Sequence, residues 1–410
     1  MTRKLLRKLL SPYHFALSLL GAILYRYPSR KISVIGVTGT KGKTTVIELI
    51  NAGLEEAGKK TAIMSSIRRK VDAKDVMQSG NSMPGRFAIQ KFLFDAVKAK
   101  CDYALIEVTS EGVTQYRHRN IDFDAGVFIN LHPEHIESHG SFEKYRKAKT
   151  DFFGYIGKHS KKGQKYFFIN QDDKNALFFV EAADKGGKNS NKVMFRKTDL
   201  KSNMVGEFNK WNLCAAEVVL KTFGISPKII ESAFAKFTGV PGRMEYVSRK
   251  PFEIVVDYAH TPDSLEAVYK ALTSNSYVLS PQERKLICIL GSAGGGRDKW
   301  KRPKFGEIAS RYCKEIILTD EDPYDENPYQ ILKEIESGLP SEASAKEKIS
   351  VHKILDRRDA IKWAINSAQP GDTVVITGKG SEKSIHVARG KKIPWSDRDA
   401  VMDVLVEMGL

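Results

Sequence analysis

The sequence predicts an α/β protein built in two parts: a central P-loop body with a mostly parallel sheet, then a C-terminal Rossmann-like α/β body. Three observations predict it. An apolar, β-like run at 32–37 enters a Gly-rich turn and leaves into a helix-like stretch at 45–57. Apolar runs then alternate with longer, 3.6-periodic stretches, the pattern of parallel strands joined by crossover helices. The alternation stops at Thr238-Gly-Val-Pro-Gly-Arg243, which follows a helix-like 227–237, and a second alternation begins beyond it.

In chain order, residues 1–30 carry Arg3, Lys4, Arg7, Lys8, Arg26 and Arg30 and no acid. Their apolar run, 14–25, is short of the roughly 20 residues that span a bilayer. No small-residue cleavage site makes it a signal peptide. Two readings stay open: a helix packed on the following body, or a basic amphipathic contact with a membrane or a lipid-linked substrate. In the central body strands are expected at 61–65, 103–108, 125–131, 165–170 and 192–195, with helices at 87–98 and 142–153. Beyond the break, strands are expected at 252–258, 285–291, 315–319 and 372–377, and helices at 264–272, 302–313 and 357–367. The expected division is therefore 1–30, 31–241 and 242–410.

A chain of 410 residues exceeds what one core serves, which agrees with that division. The net charge of +17 suits anionic partners. The cations are scattered, however, and no basic patch is interleaved with aromatics, which argues against nucleic acid. Cys101, Cys214, Cys288 and Cys313 have no metal-like spacing. Three of them lie in apolar stretches and read as reduced core residues, hence a cytoplasmic setting.

The turn reads Gly39-Thr40-Lys41-Gly42-Lys43-Thr44-Thr45. Between a strand and a helix, its N–H groups would face phosphates, Lys43 would reach them and the Thr44 hydroxyl would ligate Mg²⁺. The spacing departs from Gly-x4-Gly-Lys-Ser/Thr: Val37 stands five before Gly42, and the glycine is one earlier, at Gly36. Glu107 closes the next strand, where a Mg²⁺ partner belongs. Asn130-Leu-His-Pro-Glu-His-Ile-Glu-Ser-His-Gly140 gathers three histidines and two acids. That spacing matches no closed zinc site, whereas one imidazole suits a Mg²⁺ and ATP site.

Further stretches complete a pattern: Glu107-Val-Thr-Ser110, Tyr145-Arg-Lys-Ala-Lys149, Phe208-Asn-Lys-Trp-Asn212, Pro241-Gly-Arg-Met-Glu245, Val256-Asp-Tyr-Ala-His-Thr-Pro-Asp-Ser264, Gly295-Gly-Arg-Asp298 and Gly378-Lys-Gly-Ser-Glu382. With the loop, and in this order, they resemble the Mur ligase family. The likeness runs over residues 32–410 and is strongest to the branch adding the third amino acid to a UDP-muramoyl dipeptide. It implies an ATP- and Mg²⁺-dependent ligase that joins a carboxylate to an amine through an acyl phosphate. Gly39 to Thr45, Asn212, Arg243 and Asp257 are then implied for ATP, and Thr44, Glu107 and His135 for Mg²⁺. Lys149 matches the lysine this family carbamylates, and its carbamate is then implied for a second Mg²⁺; by the residues alone it is an ordinary helix lysine. Arg243 and Asp257 lie beyond the break, so the resemblance also implies domain closure.

For the amine, the resemblance points to Gly378, Glu382, Asp322 and Tyr324. Where the branch has Asp-Asn-Pro-Arg to grip diaminopimelate, this chain has Glu321-Asp-Pro-Tyr324. Tyr324 lacks the guanidinium, and Asp322 is expected to favour a basic amino acid; a plain acidic surface loop is the other reading. Asn81-Ser-Met-Pro-Gly-Arg86 falls at the acyl substrate, with Arg86 expected on its carboxylate. Only about 30 residues precede the loop, against roughly a hundred in the family. The UDP grip is thus expected to be missing, and Lys41 and Glu111 are further departures. The expected partners are an amino acid and a carboxylate-bearing, muramoyl-peptide-like acceptor. The alternative is a ligase like cyanophycin synthetase acting on an acidic polymer; glutamate addition to folates fits less well.

Overall fold

The computed structural model describes residues 3–78, 82–134, 139–200, 202–274, 284–296, 298–340 and 349–409. They form two compact units, Met1–Asn203 with Phe208–Thr238, and Met204–Glu207 with Gly239–Leu410.

The first unit contains α1 (Arg3–Leu24), β1 (Ser33–Thr38), α2 (Lys43–Glu56), β2 (Thr61–Met64), β3 (Arg68–Val71), β4 (Lys74–Gln78), α3 (Arg86–Lys98), β5 (Tyr103–Glu107), α4 (Ser110–Thr114), β6 (Ala125–Phe128), α5 (Phe142–His159), β7 (Lys165–Asn170), α6 (Ala176–Asp184), β8 (Ser190–Phe195), α7 (Glu207–Thr222) and α8 (Pro227–Lys236). Its sheet runs β4-β3-β2-β5-β1-β6-β7-β8. All neighbours from β2 to β8 are parallel, and β3 and β4 add an antiparallel ribbon at one edge.

Gly36, displaced from its loop position, sits inside β1. A Cβ there would lie 2.5 Å from Phe152 Cζ, so the glycine lets α5 pack close on the sheet. The expected strand 125–131 stops at Phe128, and the expected helix 142–153 runs on to His159. The β3–β4 ribbon escapes the sequence reading because Arg68-Arg-Lys-Val has no apolar alternation. Lys70 is buried there, pairing with Glu55 and lying near Asn51 and Thr61.

The second unit contains β9 (Glu245–Ser248), β10 (Glu253–Asp257), α9 (Pro262–Ser274), β11 (Leu286–Leu290), α10 (Lys301–Tyr312), β12 (Glu315–Leu318), α11 (Pro328–Glu336), β13 (Ser350–Lys353), α12 (Arg357–Ser367), β14 (Thr373–Thr377), β15 (Ser384–His386), β16 (Lys392–Pro394) and α13 (Asp397–Glu407). The six-stranded order is β13-β12-β11-β14-β10-β9, parallel except for β9, and β15 pairs with β16. Ile254, Val256, Ile287 and Ile376 share one core with Ile361 of α12 and Val401 of α13. Cys288 and Cys313 are joined as a disulfide with Cα atoms 6.1 Å apart, which corrects the expectation of three reduced cysteines; Cys101 and Cys214 are free and buried. Strand β11 and the end of α10 bring together two positions far apart in sequence. Among the described residues no helix is long and apolar enough to cross a membrane.

Candidate active site

The first unit's site forms where β1 turns into α2. Gly42 caps α2 with φ +81°, and a Cβ there would lie 2.3 Å from Asn212 Oδ1 of α7. Glycine is required on both counts. Asn130, at the strand end beside the turn, holds it from outside: its Oδ1 accepts from Thr40 N at 3.1 Å and Lys41 N at 2.9 Å. The loop is thus set before any ligand arrives, with the α2 amino end open towards it.

Three charged side chains meet at this turn. Lys43 Nζ donates to the Gly39 and Thr40 carbonyls at 3.1 and 2.9 Å and stands 3.9 Å from Glu107 Oε1. Glu107, almost fully buried, accepts from Thr44 Oγ1 at 3.0 Å, Ser66 N at 3.0 Å and Ser82 Oγ at 3.0 Å. Lys149 Nζ donates to Gly39 O at 2.7 Å and lies 4.9 Å from the Tyr145 ring centre. Tyr145 OH in turn bonds Thr40 Oγ1 at 3.0 Å. Burial, and then the Lys43 charge, hold the Lys149 amine well below the ordinary lysine value. Thr45 is buried in the first turn of α2.

This set fits phosphate and Mg²⁺. Lys43, resting on two backbone carbonyls at the amino end of α2, and the helix end itself present positive charge suited to an anion. A threonine hydroxyl and a buried carboxylate 3.0 Å apart are hard oxygen donors of the kind Mg²⁺ takes. His135, implied for the same ion, lies outside the described residues. His139 Nε2 is 3.1 Å from Ser110 Oγ.

Arg86 opens α3. Its Nη2 donates to Gln115 O, and burial and the neighbouring Arg117 charge lower its pKa. Arg117 forks onto Gln115 Oε1 from Nε and Nη2 at 3.2 and 2.7 Å. Sequence reading missed Arg117 and Ser66, and it placed the stretch holding Ser82 at the acyl substrate without its bond to Glu107. Arg117 had one signal: Thr109 caps α4 directly after Glu107, so the chain just beyond α4 stays close to that carboxylate's end of the sheet.

In the second unit, Asp257 ends β10 and accepts from Met244 N and Ala259 N at 2.8 and 2.7 Å. Its carboxylate therefore braces the turn that carries Arg243, whose guanidinium lies 4.1 Å from the Tyr258 ring centre. Burial raises the Asp257 pKa, opposed by Arg243. Lys379, fully buried, bridges Asp322 Oδ1 at 2.8 Å and Glu382 Oε2 at 2.6 Å. Tyr258 OH donates to Glu382 Oε1 at 3.0 Å. Asp322 also accepts from His386 N at 2.7 Å, so its charge is met inside the protein rather than offered to a cationic ligand. Tyr324 stacks on His386, its OH 3.1 Å from Nδ1. Gly378, at φ +106°, gives room to Glu321, whose Oε2 would lie 2.6 Å from a Cβ. Glu382, with a side chain 38% exposed, keeps a face open to solvent.

Residues 37–199 match the Mur ligase middle domain, and residues 242–380 the Mur ligase, glutamate ligase domain. The UDP-N-acetylmuramoyl-L-alanyl-D-glutamate–2,6-diaminopimelate ligase of Syntrophomonas wolfei is 37% identical over 95% of this chain and 81% of its own. The UDP-N-acetylmuramyl-tripeptide synthetase of Roseiflexus is 33% identical over 96% of this chain and 82% of its own. A solved diaminopimelate ligase of the same description superposes with TM-score 0.64 at 27% identity, over 95% of this chain and 82% of that one. The Mycobacterium tuberculosis folylpolyglutamate synthase, solved with ADP and AMPPCP, shares the fold with TM-score 0.68 at 16% identity, over 89% and 92%. On these matches the chain belongs to the Mur ligase family and is an ATP- and Mg²⁺-dependent acid–amino-acid ligase of the Mur ligase type.

Proposed function

We propose that this ligase extends a muramoyl-peptide-like acceptor by one amino acid. Bound Mg·ATP supplies the phosphoryl group that turns the acceptor carboxylate into an acyl phosphate, and the amine displaces phosphate from it to give the amide. The observation carrying this reading is the convergence of Lys43, Lys149 and the Thr44–Glu107 pair on the Gly39–Thr45 turn.

Each residue has a role within it. The loop N–H groups and Lys43 bind phosphate oxygens and spread their charge. Thr44 and Glu107, with His135 from the sequence motif, hold Mg²⁺. Lys149 is carbamylated: burial and the neighbouring Lys43 charge lower its pKa, which favours the unprotonated amine, the form that attacks CO₂. The resulting carbamate supplies an anionic oxygen where the free chain has only an amine. Asn212 supports the loop at the nucleotide, Arg243 serves the phosphates, and Asp257 holds Arg243's turn. Arg86 and Arg117 receive the acceptor's carboxylates. Glu382, held by Lys379 and Tyr258, takes the incoming amino group. ATP as substrate supports a cytoplasmic setting.

For the amino acid, Tyr324 in place of a guanidinium supports a basic residue rather than diaminopimelate. Asp322 no longer supports that preference, since Lys379 already pairs with it. A second reading has its own observation. Arg389 N donates to Asp325 Oδ1 at 2.8 Å, beside the Tyr324–Val387 bridge, so a guanidinium for diaminopimelate stands nearby in the chain.

The test is phosphate release from ATP and Mg²⁺ with lysine, ornithine or diaminopimelate, crossed with UDP-muramoyl dipeptide or acidic peptides. Release with lysine and the muramoyl acceptor supports the proposal. Release with diaminopimelate selects the second reading. Release only with acidic peptides moves the enzyme to polymer synthesis, and hydrolysis indifferent to every acceptor overturns the assignment.

A further inference from the structure

Helix α1 is turned the wrong way round for a helix that only packs on its own domain. The side towards α3 is small: Ser18, Gly21 and Ala22 are buried. Ser18 Oγ donates to Arg119 O at 2.7 Å and accepts from Asn120 Nδ2 at 3.1 Å, and a Cβ on Gly21 would touch Gln90 Cγ at 3.4 Å. Most of the large apolar residues face out instead; Phe15, also exposed, lies apart from them on the Ala22 side. Tyr13, Leu20, Ile23 and Leu24 are 57, 55, 53 and 63% exposed. Their spacing puts them on one face, opposite Ser18 and Ala22. Phe94 of α3, also exposed, extends the patch through Tyr25, with ring centres 5.6 Å apart.

The surroundings of this patch are cationic. Arg26, Lys31 and Lys98 are exposed and residues 1–30 contain no acid, while Arg30 pairs with Asp122 at 3.0 Å and Lys91 with Asp95 at 2.6 Å, so the free charge at this rim is positive. The catalytic reading gives no role to a side chain of this helix, although Tyr13 and His14 lie within electrostatic reach of Arg86. An exposed apolar stripe costs solubility and needs an occupant. Two copies of a chain of net charge +17 would bring like charges together at such a rim, which disfavours self-pairing. An anionic bilayer surface meets both features: the stripe enters the acyl boundary while the cations lie among acidic headgroups.

We propose that α1 docks the enzyme peripherally on anionic membrane, with Tyr13, Leu20, Ile23, Leu24 and Phe94 as the inserted face. The experiment is sedimentation of the full-length protein with vesicles of phosphatidylglycerol and phosphatidylcholine, or of phosphatidylcholine alone. Binding is expected only to the anionic vesicles and should weaken as salt rises. The Ile23→Ser, Leu24→Ser double variant should bind about tenfold more weakly or worse, with an unchanged thermal melt. Leu20→Trp, read by a fluorescence blue shift on vesicle addition, reports insertion without weakening the stripe. Equal binding by the double variant, no blue shift, or no binding at low salt overturns the proposal. Sedimentation velocity showing a dimer that the double variant abolishes overturns it in favour of a second copy. Retention by an acidic protein without vesicle binding also overturns it.

Discussion

Lys149 Nζ and Lys43 Nζ donate to the same acceptor, the Gly39 carbonyl oxygen, at 2.7 and 3.1 Å. Two ammonium groups on one carbonyl in a buried setting repel, and Lys149 is the one whose proton is disfavoured. Carbamylation would replace that repulsion with attraction between Lys43 and a carbamate.

Lys149→Ala is therefore expected to lose about a thousandfold in ligation or more, on the scale of removing a preorganised charge from the transition-state site. Short carboxylates such as formate or acetate should restore part of it. A ¹³CO₂-labelled carbamate resonance, present in the wild type and absent in the variant, checks the modification independently of activity.

The same depressed amine sets a stability trend. Between its lowered folded value and the ordinary 10.5, the unfolded chain binds a proton that the folded chain lacks. Stability of the ligand-free, CO₂-free protein should then rise with pH across that window from this group. Lys149→Met should remove that slope while keeping or raising the melting temperature at neutral pH. Thermal melts of both proteins over a pH series decide it.

Gly42→Ala should cost about 1–3 kcal/mol from the positive φ alone. It should also weaken nucleotide binding severely, because the added carbon meets Asn212 Oδ1. Calorimetric titration with ATP, alongside a melt, separates the two effects.

Glu107→Gln keeps the size of the side chain but removes its charge. Mg²⁺ dependence should shift at least roughly 10- to 100-fold to higher concentration, since outer-shell changes alone reach that range. Titrating Mg²⁺ at fixed ATP in the phosphate-release assay measures it.

Arg357 and Asp397 form a buried bidentate pair at 2.7 and 2.9 Å, with side chains 1 and 0% exposed. Arg357→Ala strands the carboxylate and should destabilise by about 3–5 kcal/mol. Chemical denaturation of the two proteins provides the value.

The loop, Glu107 and the two series of parallel strands were legible in the residues. Each is written locally, as an apolar run that ends in a glycine turn or in a single acid. The β3–β4 ribbon was not legible, because its charged strand is stable only once Lys70 finds Glu55, Asn51 and Thr61 on other elements.

What could be read along the chain was the chemistry: a strand–turn–helix that binds phosphate, a carboxylate at the next strand end, and motifs in the order of one ligase family. Such features depend on neighbours in the chain. How charges are shared out emerged only on folding. The fold joined Asp322 to Lys379 across 57 positions, set Lys149 on Gly39 across 110, and turned the large apolar face of α1 outward. Burial and ion pairing depend on distance in space, which chain spacing does not encode.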